Sequence, residues 1–359
     1  MVPVDLIIRL VKKIVTSSFD TSLAKIDPKM LIFVALFLKV TAITADPLLV
    51  TLPNGAGQVQ GFKLNKFLAW RGIPYAQPPT GKFRWRPPQP VLPWHPAILS
   101  TTEYKPNCLQ PGPPCWYSIK KVHESSEDCL YVDVYVPDVV SPSDGKTTTT
   151  TSLADTKTPK AVMVWIHGGD YQYGGSNDAE TEHPPPYPRL ANVIYVSVNY
   201  RLSVFGYLGS EHLRSRDVTT PKSTGNYGAQ DQRAAIKWTK DNIAAFGGDP
   251  TRITIFGESA GAGSVTNQLV MPRSFGLFNG AITESGGFSQ WVAKEMPRAE
   301  DNYAWVMDNL GLKPTEVDRL VGLPAHEILN AAQYYMPGCP WPDTMVQSQF
   351  APTIDGVEL

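Results

Sequence analysis

Charge of either sign is in short supply. Asp, Glu, Lys and Arg make up 18% of the 359 residues, and 32 Lys and Arg nearly balance 33 Asp and Glu. A net charge of −1 leaves no electrostatic footprint for nucleic acid or an anionic membrane surface. Cysteine is scarce too, with four residues, Cys108, Cys115, Cys129 and Cys339. They include no CxxC pair with a matching His, so their spacing resembles no zinc site. Four thiols do fit an oxidising compartment, with three possible pairings. The apolar run at residues 31–38 (LIFVALFL) is too short to span a bilayer. No internal repeat is visible.

What is present near the N-terminus reads as a targeting signal. Lys25 and Lys29 precede the apolar run, and the small residues Ala42 and Ala45 offer cleavage sites. Residues 30–45 are therefore expected to be a signal peptide of a secreted, extracellular protein. Met30 stands directly before the run, which makes residues 1–29 a possible upstream extension. Within it, residues 4–15 are mildly amphipathic with Lys12 and Lys13, as in a short surface helix; a membrane-anchored N-terminal helix is the alternative. Residues 46–359 are expected to form one large domain. Many of the chain's 33 prolines cluster between Pro74 and Pro114 and at residues 184–188. Trp, Tyr and Phe interleaved with them point to long ordered loops rather than disorder.

Along the chain, residues 48–52 and 58–61 read as short strands around the hairpin signal Asn54-Gly55. A strand and turn follow over 67–75. Residues 130–136 alternate and are stopped by Pro137, and residues 139–159, with threonines at 147–151, read as an exposed connector. The continuous apolar runs 161–166 and 192–198 fit strands covered on both faces. Residues 230–245 have helical spacing, with Ala234, Ala235, Trp238, Ile243 and Ala244 for a buried face. Further strands are expected at 252–256 and 280–285, and helices over 298–332, broken at Gly311, Pro314 and Leu323-Pro324. Strands alternating with helices predict an α/β fold: a mostly parallel sheet with helices on both faces.

Two turns carry the chemistry. Gly257-Glu258-Ser259-Ala260-Gly261 lies between the 252–256 strand and a helix-forming segment, the context of a nucleophile elbow. Glycines there let strand and helix pass closely, so that Ser259 sits on a strained turn with its Oγ outward. The adjoining helix start directs N–H groups at a developing oxyanion. His167-Gly168-Gly169-Asp170 directly follows another central strand, at the sheet edge where ligands bind. Its consecutive glycines expose backbone N–H groups that, with the N–H of Ala260, suit an oxyanion hole.

With those turns, Glu127-Asp-Cys-Leu-Tyr-Val-Asp-Val-Tyr-Val-Pro137 and residues 246–261 resemble the two signature stretches of the type-B carboxylesterase and cholinesterase family, an α/β-hydrolase group. Residues 71–76, 199–201, 225–228 and 230–232 are similar to further family stretches, so the resemblance runs from about Leu48 to Leu359. It implies that Ser259 is the acyl-accepting nucleophile of a carboxylic ester hydrolase acting on a small-molecule ester. It implies that Gly168, Gly169 and Ala260 shape the oxyanion hole and that Cys108 pairs with Cys129. Water would resolve the acyl-enzyme, with no metal or cofactor required. The resemblance assigns no pairing to Cys115 and Cys339.

The sequence departs from the family in two places. Asp170 stands where the family's loop usually carries a third glycine. Asp tolerates left-handed backbone angles; an outward carboxylate is harmless, whereas an inward one at ~4 Å from a developing negative charge is repelled by about 4 kcal/mol at an effective dielectric of 20. That matches the roughly 3–4 kcal/mol that one oxyanion donor contributes. The second departure is the general base. His326 is the one His after Ser259 and reads as a surface helix position, while His167 precedes the nucleophile. In the family the acid and the His come after the segment that residues 350–356 resemble, so the sequence is expected to be the N-terminal part of a longer hydrolase, inactive by itself. Ile253, Ile255, Ile282 and Trp291 are then expected to be partly uncovered. The rival expectation is a non-catalytic, cholinesterase-like adhesion protein with a protein partner.

Overall fold

The computed structural model describes residues 48–111, 124–138, 159–177, 184–333 and 350–359. The signal segment, the connector 139–158, Cys115 and Cys339 lie outside these residues. Strands β1 (Leu49–Thr51) and β2 (Gln58–Gln60) pair antiparallel, and β5 (Ile98–Ser100) joins β2 in a small sheet. The expected turn connects the first two: Gly55 adopts φ 77°, and the Ala56 N–H donates to Asn54 Oδ1 at 3.1 Å.

The main sheet has seven strands in the order β12-β11-β9-β10-β8-β4-β3. They are β3 (Phe62–Leu64), β4 (Phe67–Pro74), β8 (Tyr131–Pro137), β9 (Lys160–Ile166), β10 (Ile194–Val198), β11 (Gly248–Glu258) and β12 (Gly280–Glu284). From β10 through β9 and β11 to β12 the pairing is parallel. On the other side β8, β4 and β3 are antiparallel to their neighbours. The sheet is thus mixed rather than mostly parallel. The reason is local: parallel neighbours need crossover segments, usually helical, and no α-helix is found in the described residues before β9.

Alternation sorts the side chains. Val162, Val164, Ile166, Ile253 and Ile255 face the larger core with Trp70, Val132 and Phe246, while Tyr135, Tyr195 and Phe256 form a second cluster with Met163 and Trp165. Helices α1 (Tyr187–Leu190), α2 (Ser203–Tyr207) and α3 (Glu211–Arg214) are short. Helix α4 (Tyr227–Asn242) begins and ends three residues earlier than the spacing predicts and continues as a 3-10 turn, Ile243–Phe246, closed by Gly247 at φ 82°. That tighter turn rotates Ala244 into solvent; Ala234, within the regular helix, is half-buried, and the buried face is Ala235, Ile236, Trp238, Thr239 and Ile243. Helix α5 (Ala260–Val270) follows the elbow, and α6 (Met296–Asn309), α7 (Val317–Gly322) and α8 (Ala325–Ala331) come later, interrupted near Gly311 and at Leu323-Pro324. Among the described residues no helix is long and apolar enough to cross a membrane.

Two small parallel pairs complete the sheets: β6 (Asn107–Cys108) with β7 (Ser125–Ser126), and β13 (Lys294–Glu295) with β14 (Thr353–Ile354). Cys108 and Cys129 are disulfide-bonded with their Cα atoms 4.9 Å apart. Closing a loop of this length is worth about 3 kcal/mol. The expected loss of cover is only partial. Ile253 and Ile255 are fully buried under α4 and α5, Trp291 is half-buried, and Ile282 on the edge strand β12 is exposed.

Candidate active site

The β-branched end of β11 is clamped between β9 and β12, which fixes where the chain must turn. Ser259 takes that turn at φ 56° and ψ −121°, between the last residue of β11 and the first of α5. This is strained backbone for any residue with a Cβ. It is held by the Ser259 N–H donating to the Glu284 carbonyl at 2.9 Å and by the Ser259 carbonyl accepting from Gly263 N–H at 3.0 Å. The flanking glycines are forced by contact. A Cβ at Gly257 would lie 2.6 Å from the Ile166 carbonyl oxygen, and one at Gly261 would overlap that same oxygen. Ser259 is half-buried, and among the described residues its Oγ makes no hydrogen bond.

The second turn leaves the end of β9 and meets the first. A Cβ at Gly168 would lie 2.6 Å from the Glu258 carbonyl oxygen and 3.2 Å from Ser259 Cβ. Gly169 adopts φ 100°, and a side chain there would overlap the Tyr173 carbonyl, which no L-residue tolerates. Among the described residues the N–H groups of Gly168, Gly169 and Ala260 donate to no protein acceptor. The loop and the elbow are therefore brought together around Ser259, with three backbone donors unspent. Asp170 is half-buried at φ 53°, the left-handed conformation that Asp accepts, and Tyr171 follows at φ 59°.

Among the described residues His167 makes no hydrogen bond to Ser259. It is buried, its Nδ1 lies 2.8 Å from the Gly168 carbonyl oxygen, and its ring stacks on Tyr200 with centroids 4.4 Å apart. Burial lowers its pKa to about 4, so the ring is neutral at pH 7; the Nδ1–H donates to Gly168, and among the described residues Nε2 has no partner. The Tyr200 hydroxyl donates to the His167 carbonyl at 2.7 Å and so fixes the start of the loop. His326 lies exposed on α8, as its spacing predicts.

Sequence reasoning missed the aromatic wall behind the loop. Tyr171 packs edge-on against Tyr207 at 5.2 Å and lies 6.3 Å from Trp291, and a Cβ at Gly263 would lie 2.5 Å from the Tyr171 hydroxyl. Burial drives the Tyr171 phenol well above its usual pKa, with Tyr200 and the charge of Asp170 adding to it. Gly286 completes the wall: a Cβ there would sit 2.7 Å from the Ser259 carbonyl and 2.9 Å from the Trp291 ring. The pair Gly286-Gly287 just after β12 was the available signal, but no spacing rule connects it to Ser259. Among the described residues no cluster of His, Cys, Asp and Glu is arranged to hold a metal.

Comparison with known proteins gives a consistent result. A family model described as the carboxylesterase family matches residues 46–359. The para-nitrobenzyl esterase of Bacillus subtilis (strain 168) is 39% identical over 281 residues, covering 77% of this chain and 51% of that protein. The Mus musculus cholinesterase is 34% identical over 336 residues, covering 87% of this chain and 49% of that protein. A solved structure of a thermophilic p-nitrobenzyl esterase superposes with a TM-score of 0.70 at 33% identity, covering 86% of this chain and 57% of that one. The chain spans about half the length of these curated relatives.

Proposed function

The chain belongs to the carboxylesterase family and has its α/β-hydrolase fold, and on that premise we propose that it carries the nucleophile and oxyanion half of a serine ester hydrolase. Ser259 Oγ attacks the carbonyl carbon of a small-molecule carboxylic ester, and the alcohol leaves. The N–H groups of Gly168, Gly169 and Ala260 take up the charge on the carbonyl oxygen, and water then releases the acid from the acyl-serine. The chemistry requires no metal or cofactor. The observation that carries this reading is the strained Ser259 held against Gly168, with the N–H groups of Gly168, Gly169 and Ala260 unspent among the described residues. The Cys108–Cys129 bond supports export to an oxidising compartment, in keeping with a signal peptide over residues 30–45 and a hydrolase domain over 46–359.

A serine hydroxyl needs a base, and His167 and His326 are both otherwise placed. The 359-residue protein is therefore expected to hydrolyse p-nitrophenyl acetate no faster than its Ser259→Ala variant, since nucleophile and base act as a unit. A longer form supplying an in-frame Glu and a Gly-His segment gains turnover that Ser259→Ala abolishes. Ser259-dependent turnover by the 359-residue protein contradicts the account of the base. Absence of it from the longer form contradicts the hydrolase reading and favours the binding-protein one, which Asp170 in the loop already supports.

A further inference from the structure

Most buried arginines in this fold are matched by acids. Arg201 meets the fully buried Asp231 through bonds of 2.7 Å from Nε and Nη2. Arg84 grips Glu127 through two bonds of 2.6 Å and donates as well to the carbonyls of Val321 and Leu323. Arg233 and Arg273 share Glu358. Arg86 and Arg216 differ from these: among the described residues Arg86 has no ion pair, and Arg216 has one, with the exposed Asp318.

Arg86 follows the 3-10 turn Gly81–Phe83, and its own N–H donates to the Phe83 carbonyl at 3.2 Å. Its Nε is buried without a partner, and among the described residues its guanidinium meets no carboxylate. Arg216, just after α3, reaches the same turn, its Nη2 donating to the Lys82 carbonyl at 3.0 Å. Its side chain is only 10% exposed, and among the described residues its Nε is likewise buried and unpartnered. The carboxylate near it, Asp318 on α7, stands 3.6 Å from Nη1 and is fully exposed, so water screens it. Burial first, and then the positive charge of Arg86, lower the pKa of Arg216. Two half-buried cations that repel one another and leave Nε donors unmet are costly unless something negative joins them.

We propose that Arg86, whose backbone N–H donates to Phe83 of the turn Gly81–Phe83, and Arg216, whose guanidinium donates to Lys82 of the same turn, form a binding site for a tetrahedral oxyanion of the phosphate or sulfate type. Each guanidinium is a planar fork of donors, and a tetrahedral anion offers enough acceptor oxygens to satisfy two forks at once. A halide has the charge without the directed acceptors. Lys82, exposed at the rim, adds a third cation, and Asp318 competes for Arg216 until the anion displaces it.

The test is calorimetric titration of the 359-residue protein with inorganic phosphate and with inorganic sulfate at constant ionic strength, with chloride as control. One saturable site is expected for at least one of the two oxyanions and none for chloride; the tighter anion identifies the source of the group. Arg86→Gln and Arg216→Gln each weaken binding at least tenfold, Arg86→Lys falls between, and Asp318→Asn tightens it. Among the described residues Arg86 makes no side-chain hydrogen bond, so Arg86→Gln is expected to fold, and in chloride alone its Tm is no lower than that of the parent. No saturable heat from either oxyanion, or unchanged binding by Arg86→Gln, overturns the proposal.

Discussion

The two turns that meet at Ser259 differ in how tightly the fold dictates them. In the elbow, Gly257 and Gly261 are both pressed on the Ile166 carbonyl, so sequence and packing allow nothing else there. In the facing loop, Gly169 is equally constrained by the Tyr173 carbonyl, yet the next position holds Asp170, whose φ of 53° glycine would meet more easily. The elbow is thus determined by backbone contact, whereas the loop combines a fixed position with one where chemistry was free to vary. Substitutions separate the two kinds of position.

The largest effect is expected at the fixed positions. Gly261→Ala forces a methyl group into the Ile166 carbonyl and drives α5 off the sheet, at a cost of about 3 kcal/mol or more. Thermal denaturation reads this as a large fall in Tm. A Tm within a degree or two of the parent would show that the elbow gives way more easily than its contacts imply. Gly169→Ala should behave alike, through the Tyr173 carbonyl and the φ of 100°.

An effect of similar origin, but conditional on pH, comes from His167. Its folded pKa of about 4 lies below the ordinary value of 6.5, so the unfolded chain binds the extra proton between these values. Stability from this group is full above pH 6.5 and is lost as pH falls towards 4, by on the order of 3 kcal/mol. Asp133 opposes it. Burial raises that carboxyl to about 6, so its contribution falls as pH rises from 3.8 to 6. His167→Gln removes the first dependence and leaves the second, so urea denaturation between pH 4 and 6.5 should show the variant losing less stability on acidification. Parallel curves for variant and parent contradict the buried neutral ring.

The smallest structural effect is expected at Asp170. Asp170→Gly changes stability by less than about 1 kcal/mol, because a strained φ is relieved while the unfolded chain gains freedom. Its effect on chemistry is larger. If the carboxylate faces the oxyanion site, removing it should speed acylation of Ser259 by up to about 10²-fold in a form extended to carry an acid and a His base. Slower deacylation in the same variant would give the carboxylate a second role in positioning water. Stopped-flow measurement of both steps decides this, and no change in either means that the side chain has no influence on the site.

Legibility followed the range of the interaction. The elbow strand, the hairpin at Asn54-Gly55 and the helix breaks at Gly311 and Pro324 are local, written in β-branching, Gly and Pro, and they lie where their spacing places them. The antiparallel order of β8, β4 and β3 depends on which strands find one another, which periodicity does not encode. The outward turn of Ala244 was hidden for another reason: a 3-10 turn breaks the 3.6-residue count on which the buried face was drawn. The wall of Tyr171, Tyr207 and Trp291, like the pair Arg86 and Arg216, joins residues distant in sequence. The Cys108–Cys129 bond was accessible only through family likeness, since four cysteines allow three pairings.

The central claim is that the fold singles out Ser259 as a nucleophile facing ready-made donors. Prolonged exposure of the 359-residue protein to a fluorophosphonate, followed by peptide mapping, tests it most directly. The account predicts a slow, single adduct on Ser259 that disappears in Ser259→Ala. Adducts scattered over other serines and tyrosines, or none on Ser259, would contradict it.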